Sequence, residues 1–152
     1  MPVTSTAVFT VFSRRGSLKA INQKANKVMD VITAGLVNIG DHKIIDNTEG
    51  AFMPVHVELI NKVGTTADGR DTSAIFSVAH YFKQHGDMMA DPEMLFWRAP
   101  DGNYYPTYFK QDGGLPIEQE SAILSDDEPI RFYPRLQKDH AIFAGTWMRN
   151  IK

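Results

Sequence analysis

The sequence predicts an α+β fold: a single domain whose antiparallel sheet, of about five or six strands, carries an N-terminal and a C-terminal helix packed on it. Three observations lead there. An apolar stripe with helical spacing runs from Leu18 to Leu36. The middle of the chain is a series of short alternating or aromatic runs punctuated by turn residues. A second helical stripe closes the chain, from Leu136 to Ile151. Strands in series without interleaved helices favour antiparallel pairing, with the helices gathered on one face.

The first helix is expected over residues 17–37. Leu18, Ile21, Ala25, Val28, Ile32 and Leu36 recur at three- and four-residue intervals and so line up on one side. Ser17, after Gly16, suits an N-cap, and Gly35 and Gly40 offer exits. His42 to Asp46 reads as a short strand, closed by a turn at Asn47-Thr48-Glu49-Gly50. Met53, Val55, Val57 and Leu59 then alternate with Pro54, His56 and Glu58, the period of a half-buried strand. Gly64 to Asp71 is polar and contains Asp68-Gly69, a loop or hairpin signal. Ala74 to Lys83 is apolar on both parities and suits a central strand or a buried helix. Its β-branched and aromatic content favours the strand.

Met94 to Arg98 and Asn103 to Gln111 flank Pro100-Asp101-Gly102 as a hairpin. Pro106 places the second arm at an edge or a bulge, because proline has no N–H for the ladder. Gly113-Gly114-Leu115-Pro116 breaks the chain before a further strand, Ile117 to Leu124, and Ser125 to Pro129 reads as an acidic loop. In the last helix Leu136, His140, Phe143, Trp147 and Ile151 share a face, while Arg149 and Lys152 complement the dipole at its C-terminus.

At 152 residues the chain suits one domain spanning 1–152, with residues 1–14 as a flexible arm or a short extra strand. Hydrophobic residues at 43% and charged residues at 22% match globular proteins rather than disordered ones. No apolar run approaches a membrane span, and Met1 to Thr10 lacks the basic start and apolar core of a secretory signal. The absence of cysteine removes disulfides and thiolate zinc sites, so a cytoplasmic address is expected. A net charge of −2 exerts no global pull on nucleic acid or anionic membrane. Arg14, Arg15, Lys19, Lys24 and Lys27 nonetheless form a basic block, which is a solvated helix face or a surface for phosphates. Asp112, Glu118, Glu120, Asp126, Asp127 and Glu128 make a later stretch acidic.

Chemistry concentrates between His80 and Met94. His80, Asp87, Asp91 and Glu93, with His85 nearby, are imidazole and carboxylate groups of the kind that hold zinc, manganese or iron, but their spacing matches no established metal motif. His80 beside a carboxylate, with His56 or His140 as a remote partner, suits general acid–base work. No serine elbow and no phosphate-cradling glycine loop accompanies it. The structural reading makes Gly86 a positive-φ turn residue and Asp87 a turn cap. Asp91-Pro92 then starts the next strand or a tight turn, His80 is an inner histidine with a partner, and Met88, Met89 and Met94 are filler. No cofactor is expected.

Tyr81, Phe82, Phe96, Trp97, Tyr104, Tyr105, Tyr108 and Phe109 lie on neighbouring strands in this reading. Alternation keeps them out of a single core layer, so some meet a partner or the second face of the sheet is covered too. Tyr81, Trp97, Tyr104, Tyr105 and Tyr108 are the binding candidates.

The run His80-Tyr81, Gly86-Asp87-Met88-Met89, Asp91-Pro92-Glu93-Met94 resembles the signature of an uncharacterised family of small proteins from phages, plasmids and other bacterial mobile elements. The Tyr105-Pro106-Thr107-Tyr108-Phe109 strand, Gln111-Asp112-Gly113-Gly114 with Ile117-Glu118-Gln119-Glu120, and the Phe143-Ala144, Trp147, Asn150 helix extend the likeness over residues 53–151. The resemblance implies an accessory protein made in a bacterial cytoplasm and carries no reaction with it. The leading expectation is therefore a non-enzymatic binding or regulatory protein with a protein partner. A metal-dependent hydrolase acting on nucleic acid or nucleotides is the alternative, and nucleic-acid binding through the basic first helix is a weaker one.

Overall fold

The computed structural model of the protein describes residues 18–46, 54–65, 71–125 and 128–151. In chain order these form α1 (Gln23–Thr33), β1 (His42–Ile45), β2 (Val55–Thr65), β3 (Asp71–Gln84), β4 (Asp87–Arg98), β5 (Tyr104–Gln111), β6 (Ile117–Glu120), β7 (Ala122–Ser125), β8 (Glu128–Phe132) and α2 (Pro134–Ile151). β1 to β6 make one antiparallel sheet in sequential order, and β7 pairs with β8 separately. The fold is the expected α+β arrangement.

Helix α1 is shorter than its apolar stripe. Asn22 caps it by accepting from the Ala25 N–H at 2.8 Å, whereas Ser17 lies outside the described residues. Residues 18–21 stay extended because their backbone bonds elsewhere. The Lys19 N–H donates to Gln137 Oε1 at 2.7 Å, and the Ile21 N–H to the Tyr104 carbonyl at 3.0 Å. Past the helix Gly35 takes φ +86°, and Lys43 from β1 donates to the Ala34 carbonyl, placing a cation at the negative end of the dipole.

One face of the sheet carries both helices. Val57, Val78, Phe76, Met94, Phe96 and Tyr104 meet Met29 and Ile32 of α1 and Trp147, Met148 and Ile151 of α2 in a single core. Among the described residues the other face carries no helix and is closed at one end only. There Trp97 and Tyr105, with ring centroids 5.4 Å apart, pack with Leu18, Ala99 and Ala122 beneath the β7–β8 hairpin.

The structure corrects three local expectations and decides a fourth. Ile117 to Leu124 is two strands of different sheets, because Ser121 breaks the run. Its N–H bonds Thr107 O, its carbonyl accepts from Tyr133, and its buried hydroxyl meets His140. Glu128 and Pro129 are not loop but the start of β8, opposite Ser125 and Leu124. Asp91-Pro92 does not open a strand: Asp87 begins β4 and the pair sits inside it, at the register shift beside His80. Of the two positions expected for Pro106 the structure has the bulge: it pairs with Phe96 beside the extra residue Thr107, and β5 pairs on both sides. Met53, the 47–50 turn and Asp68-Gly69 lie outside the described residues.

Candidate binding face on the helix-free side of the sheet

Registered partners in an antiparallel sheet share a face, so the pairing can be read as rows of side chains running across all six strands. One row is Ile44, His56, Ala79, Glu93, Lys110 and Glu118. The next is His42, Glu58, Ser77, Leu95, Tyr108 and Glu120. The intervening row, Lys43, Val57, Val78, Met94, Phe109 and Gln119, belongs to the opposite face, and its middle members lie in the core under the helices. The helix-free face is therefore polar and aromatic, over a floor of small residues (Ser77 and Ala79) on the central strand. His42, Ile44, Glu58, Glu118 and Glu120 are exposed, and His56, Glu93, Leu95, Tyr108 and Lys110 partly so.

The electrostatics of this face are one-sided. Within the two rows Glu58, Glu93, Glu118 and Glu120 stand against Lys110 alone, with Lys83 beyond them on the same face of β3, and His56 does not redress the balance at neutral pH. Burial, followed by repulsion from His42 and His80, holds the His56 pKa below the ordinary histidine value. Tyr81 contacts His56 edge-on at 5.1 Å. Its phenol is pushed up by burial and then by the charges of Glu93 and Glu58. The Tyr108 hydroxyl donates to Glu118 Oε2 at 2.6 Å, and its pKa is raised by burial, by Glu118, and further by Glu93 and Asp112. Ser77 Oγ donates to Glu93 Oε2 at 2.9 Å. Glu58 and Glu120 have no hydrogen-bond or ion-pair partner among the described residues. The arrangement attracts cations and offers ring surface beside carboxylates. Ser77, bonded to a glutamate, has no histidine to activate it among its described partners.

The residues singled out from sequence are dispersed. His80 points to the helix side, 5.4 Å from the Trp147 ring, with Nδ1–H donating to the Pro54 carbonyl at 3.1 Å, while Glu93 faces the other way. Asp87 is exposed where β4 begins, and Asp91 accepts from Gln111 Nε2. Among the described residues no three His, Asp or Glu side chains gather to hold a metal. His140 is held by Ser121 and Gln119.

The aromatic candidates narrow to Tyr81 and Tyr108. Trp97, Tyr104 and Tyr105 are buried because helix α1 covers Tyr104 and the second cluster encloses the other two. Tyr104 donates to Asp30 Oδ1 at 2.9 Å. Tyr105 donates to Asp101 Oδ2 at 2.7 Å, and burial with that carboxylate pushes its pKa up to about 12. Lys19, Lys24 and Lys27 are exposed, whereas Arg14 and Arg15 lie outside the described residues. Sequence reasoning passed over Glu58, Ser77, Lys110, Glu118 and Glu120 as members of a site. The signal for Glu58 was present in the polar half of the alternation around Val55 and Val57.

A family model described as a domain of unknown function (DUF6908) matches residues 18–152. Neither the curated proteins nor the solved structures contain a match.

Proposed function

The chain belongs to the DUF6908 family, and from that premise we propose that it is a non-enzymatic binding protein, an accessory factor of a bacterial phage or other mobile element that engages a host protein in the cytoplasm. The carrying observation is the helix-free face: two rows of mostly polar side chains, all but Ser77 and Ala79 at least partly exposed, on a six-stranded sheet. Rigid strands present such side chains at fixed spacing, and this suits recognition. The dispersal of His80, Asp87, Asp91 and Glu93 gives the hydrolase alternative no comparable support.

The test is photo-crosslinking in the bacterial host, with a crosslinking residue at Leu95 or Tyr108 on the face and, as control, at exposed Ile142 on α2. The expected result is a discrete protein adduct from the face positions and none from position 142. Turnover of a nucleotide or nucleic acid by the purified protein, with no adduct from either face position, overturns the reading.

A further inference from the structure

We propose that what docks on the helix-free face is an arginine-bearing extended segment of the partner protein, laid across the strands. The inference rests on the binding reading above and adds the chemistry of the partner. The two rows contribute Glu58, Glu93, Glu118 and Glu120 against Lys110 alone, so the face is complementary to positive charge and repels phosphates.

Neighbouring strands lie about 4.8 Å apart, which puts Glu93 on β4 about 10 Å from Glu118 on β6, and Glu58 on β2 about 19 Å from Glu120. An extended segment of about six residues covers the longer span. Tyr108 stands between the carboxylates of β4 and β6, registered with Leu95 on one side and Glu120 on the other. A guanidinium uses such a place twice over, forking onto carboxylate and stacking on the ring, whereas an ammonium acts only as a point charge. Leu95 and the exposed Ile44 supply apolar contact for the stems between the charges.

The experiment uses the full chain and two probes: a short peptide alternating arginine with serine, and its counterpart in which citrulline, of the same shape but uncharged, replaces arginine. Each is titrated into isotopically labelled protein while backbone amide shifts are followed. The arginine peptide is expected to shift amides of β2 to β6 and to bind at least tenfold more tightly than the citrulline peptide. Affinity should fall at least tenfold in Glu58→Gln/Glu118→Gln/Glu120→Gln. It should hold within about twofold in Asp46→Asn/Asp87→Asn/Asp139→Asn, which removes as many exposed carboxylates off the rows. Glu93→Gln alone provides a second face variant, and thermal melts confirm that each variant is folded.

Equal binding of the two peptides, equal loss in both triple variants, or shifts confined to other surfaces overturns the inference. So does self-association that the face variant abolishes without any peptide binding, because the occupant is then a second copy presenting Lys24 and Lys27. If position 108 crosslinks a host protein whose binding ignores both salt and the glutamate changes, the arginine inference fails and the binding reading stands. If no face position crosslinks, the binding reading itself fails.

Discussion

His140 sits where α2 crosses the step between β6 and β7, and each of its ring nitrogens is committed. Nε2–H donates to Gln119 Oε1 at 3.0 Å, which leaves Nδ1 to accept from the buried Ser121 hydroxyl at 2.8 Å. The ring also stacks on Phe109, 5.6 Å between centroids. This is a neutral imidazole by construction, and burial holds its pKa below the ordinary 6.5, against the opposing pull of Asp139. His56 is displaced the same way. Because the folded values lie below the unfolded one, the unfolded chain binds more protons in the window between them. The contribution of both histidines is therefore complete above about pH 6.5 and is lost as pH falls through that window to the folded values. Urea midpoints recorded from pH 7.5 down to pH 5 should decline. His140→Phe keeps the stacking but strands Ser121 and Gln119, so it should cost about 1–3 kcal/mol at pH 7.5. It should also flatten the decline, and an unchanged slope in that variant would assign the acid sensitivity to other groups.

At the scale of elements, turns and clips set the geometry. β3 and β4 are joined by a two-residue turn in which His85 has φ +54° and Gly86 φ +88°, with Gln84 and Asp87 paired across it. Two positive φ values make this the hairpin turn that prefers Asn-Gly. Gly86→Ala should cost about 1–2 kcal/mol in equilibrium unfolding, while His85→Asn should be neutral or stabilising by a few tenths. A loss as large for the asparagine would mean that the His85 side chain makes a contact of its own.

Gln137 is the clip for the extended 18–21 segment. It accepts from the Lys19 N–H and donates to the carbonyls of Lys19 and Pro106 at 2.9 and 3.1 Å. Gln137→Leu should lose about 2–4 kcal/mol by orphaning these groups, and Gln137→Glu more, because it aims a carboxylate oxygen at two carbonyls. Differential scanning calorimetry orders the two. Alternation and turn residues made most of this architecture legible, including β3, the hairpin at Pro100-Asp101-Gly102 and the α2 stripe. The start of α1 was not legible, because what ends the helix there is a bond from Ile21 to a strand far along the chain. The break at Ser121 was hidden for the same reason: its three partners lie on β5, after β8, and on α2.

At the scale of the molecule the site depends on register, and register is where local sequence is silent. Were β4 and β5 paired without interruption, Thr107 would oppose Leu95, and Tyr108 would turn toward the helices. The extra residue at Thr107 moves Tyr108 to the helix-free face and gives Phe109 to the core, opposite Met94 and 5.4 Å from Phe143. The shift at His80 likewise sets what meets Ala79: uninterrupted pairing from the Gln84–Asp87 turn would put Pro92 there, and the shift puts Glu93. His56 and Glu58 were visible in their own alternation, but their company on the face was not. The resulting division of labour between the two faces is testable by a single step along β3. Val78→Thr keeps side-chain shape but buries a hydroxyl in the row beneath the helices, and should cost about 1–3 kcal/mol. Glu58→Gln/Glu120→Gln changes only exposed carboxylates with no hydrogen-bond or ion-pair partner among the described residues, and should stay within about 0.5 kcal/mol of the parent. At low ionic strength it should shift slightly toward greater stability, as like charges on one face are thinned, and added salt should erase that gain. Urea titrations at two salt concentrations read both effects. A clear loss of stability in the glutamate variant would mean that these carboxylates hold the sheet together rather than stand ready for a partner.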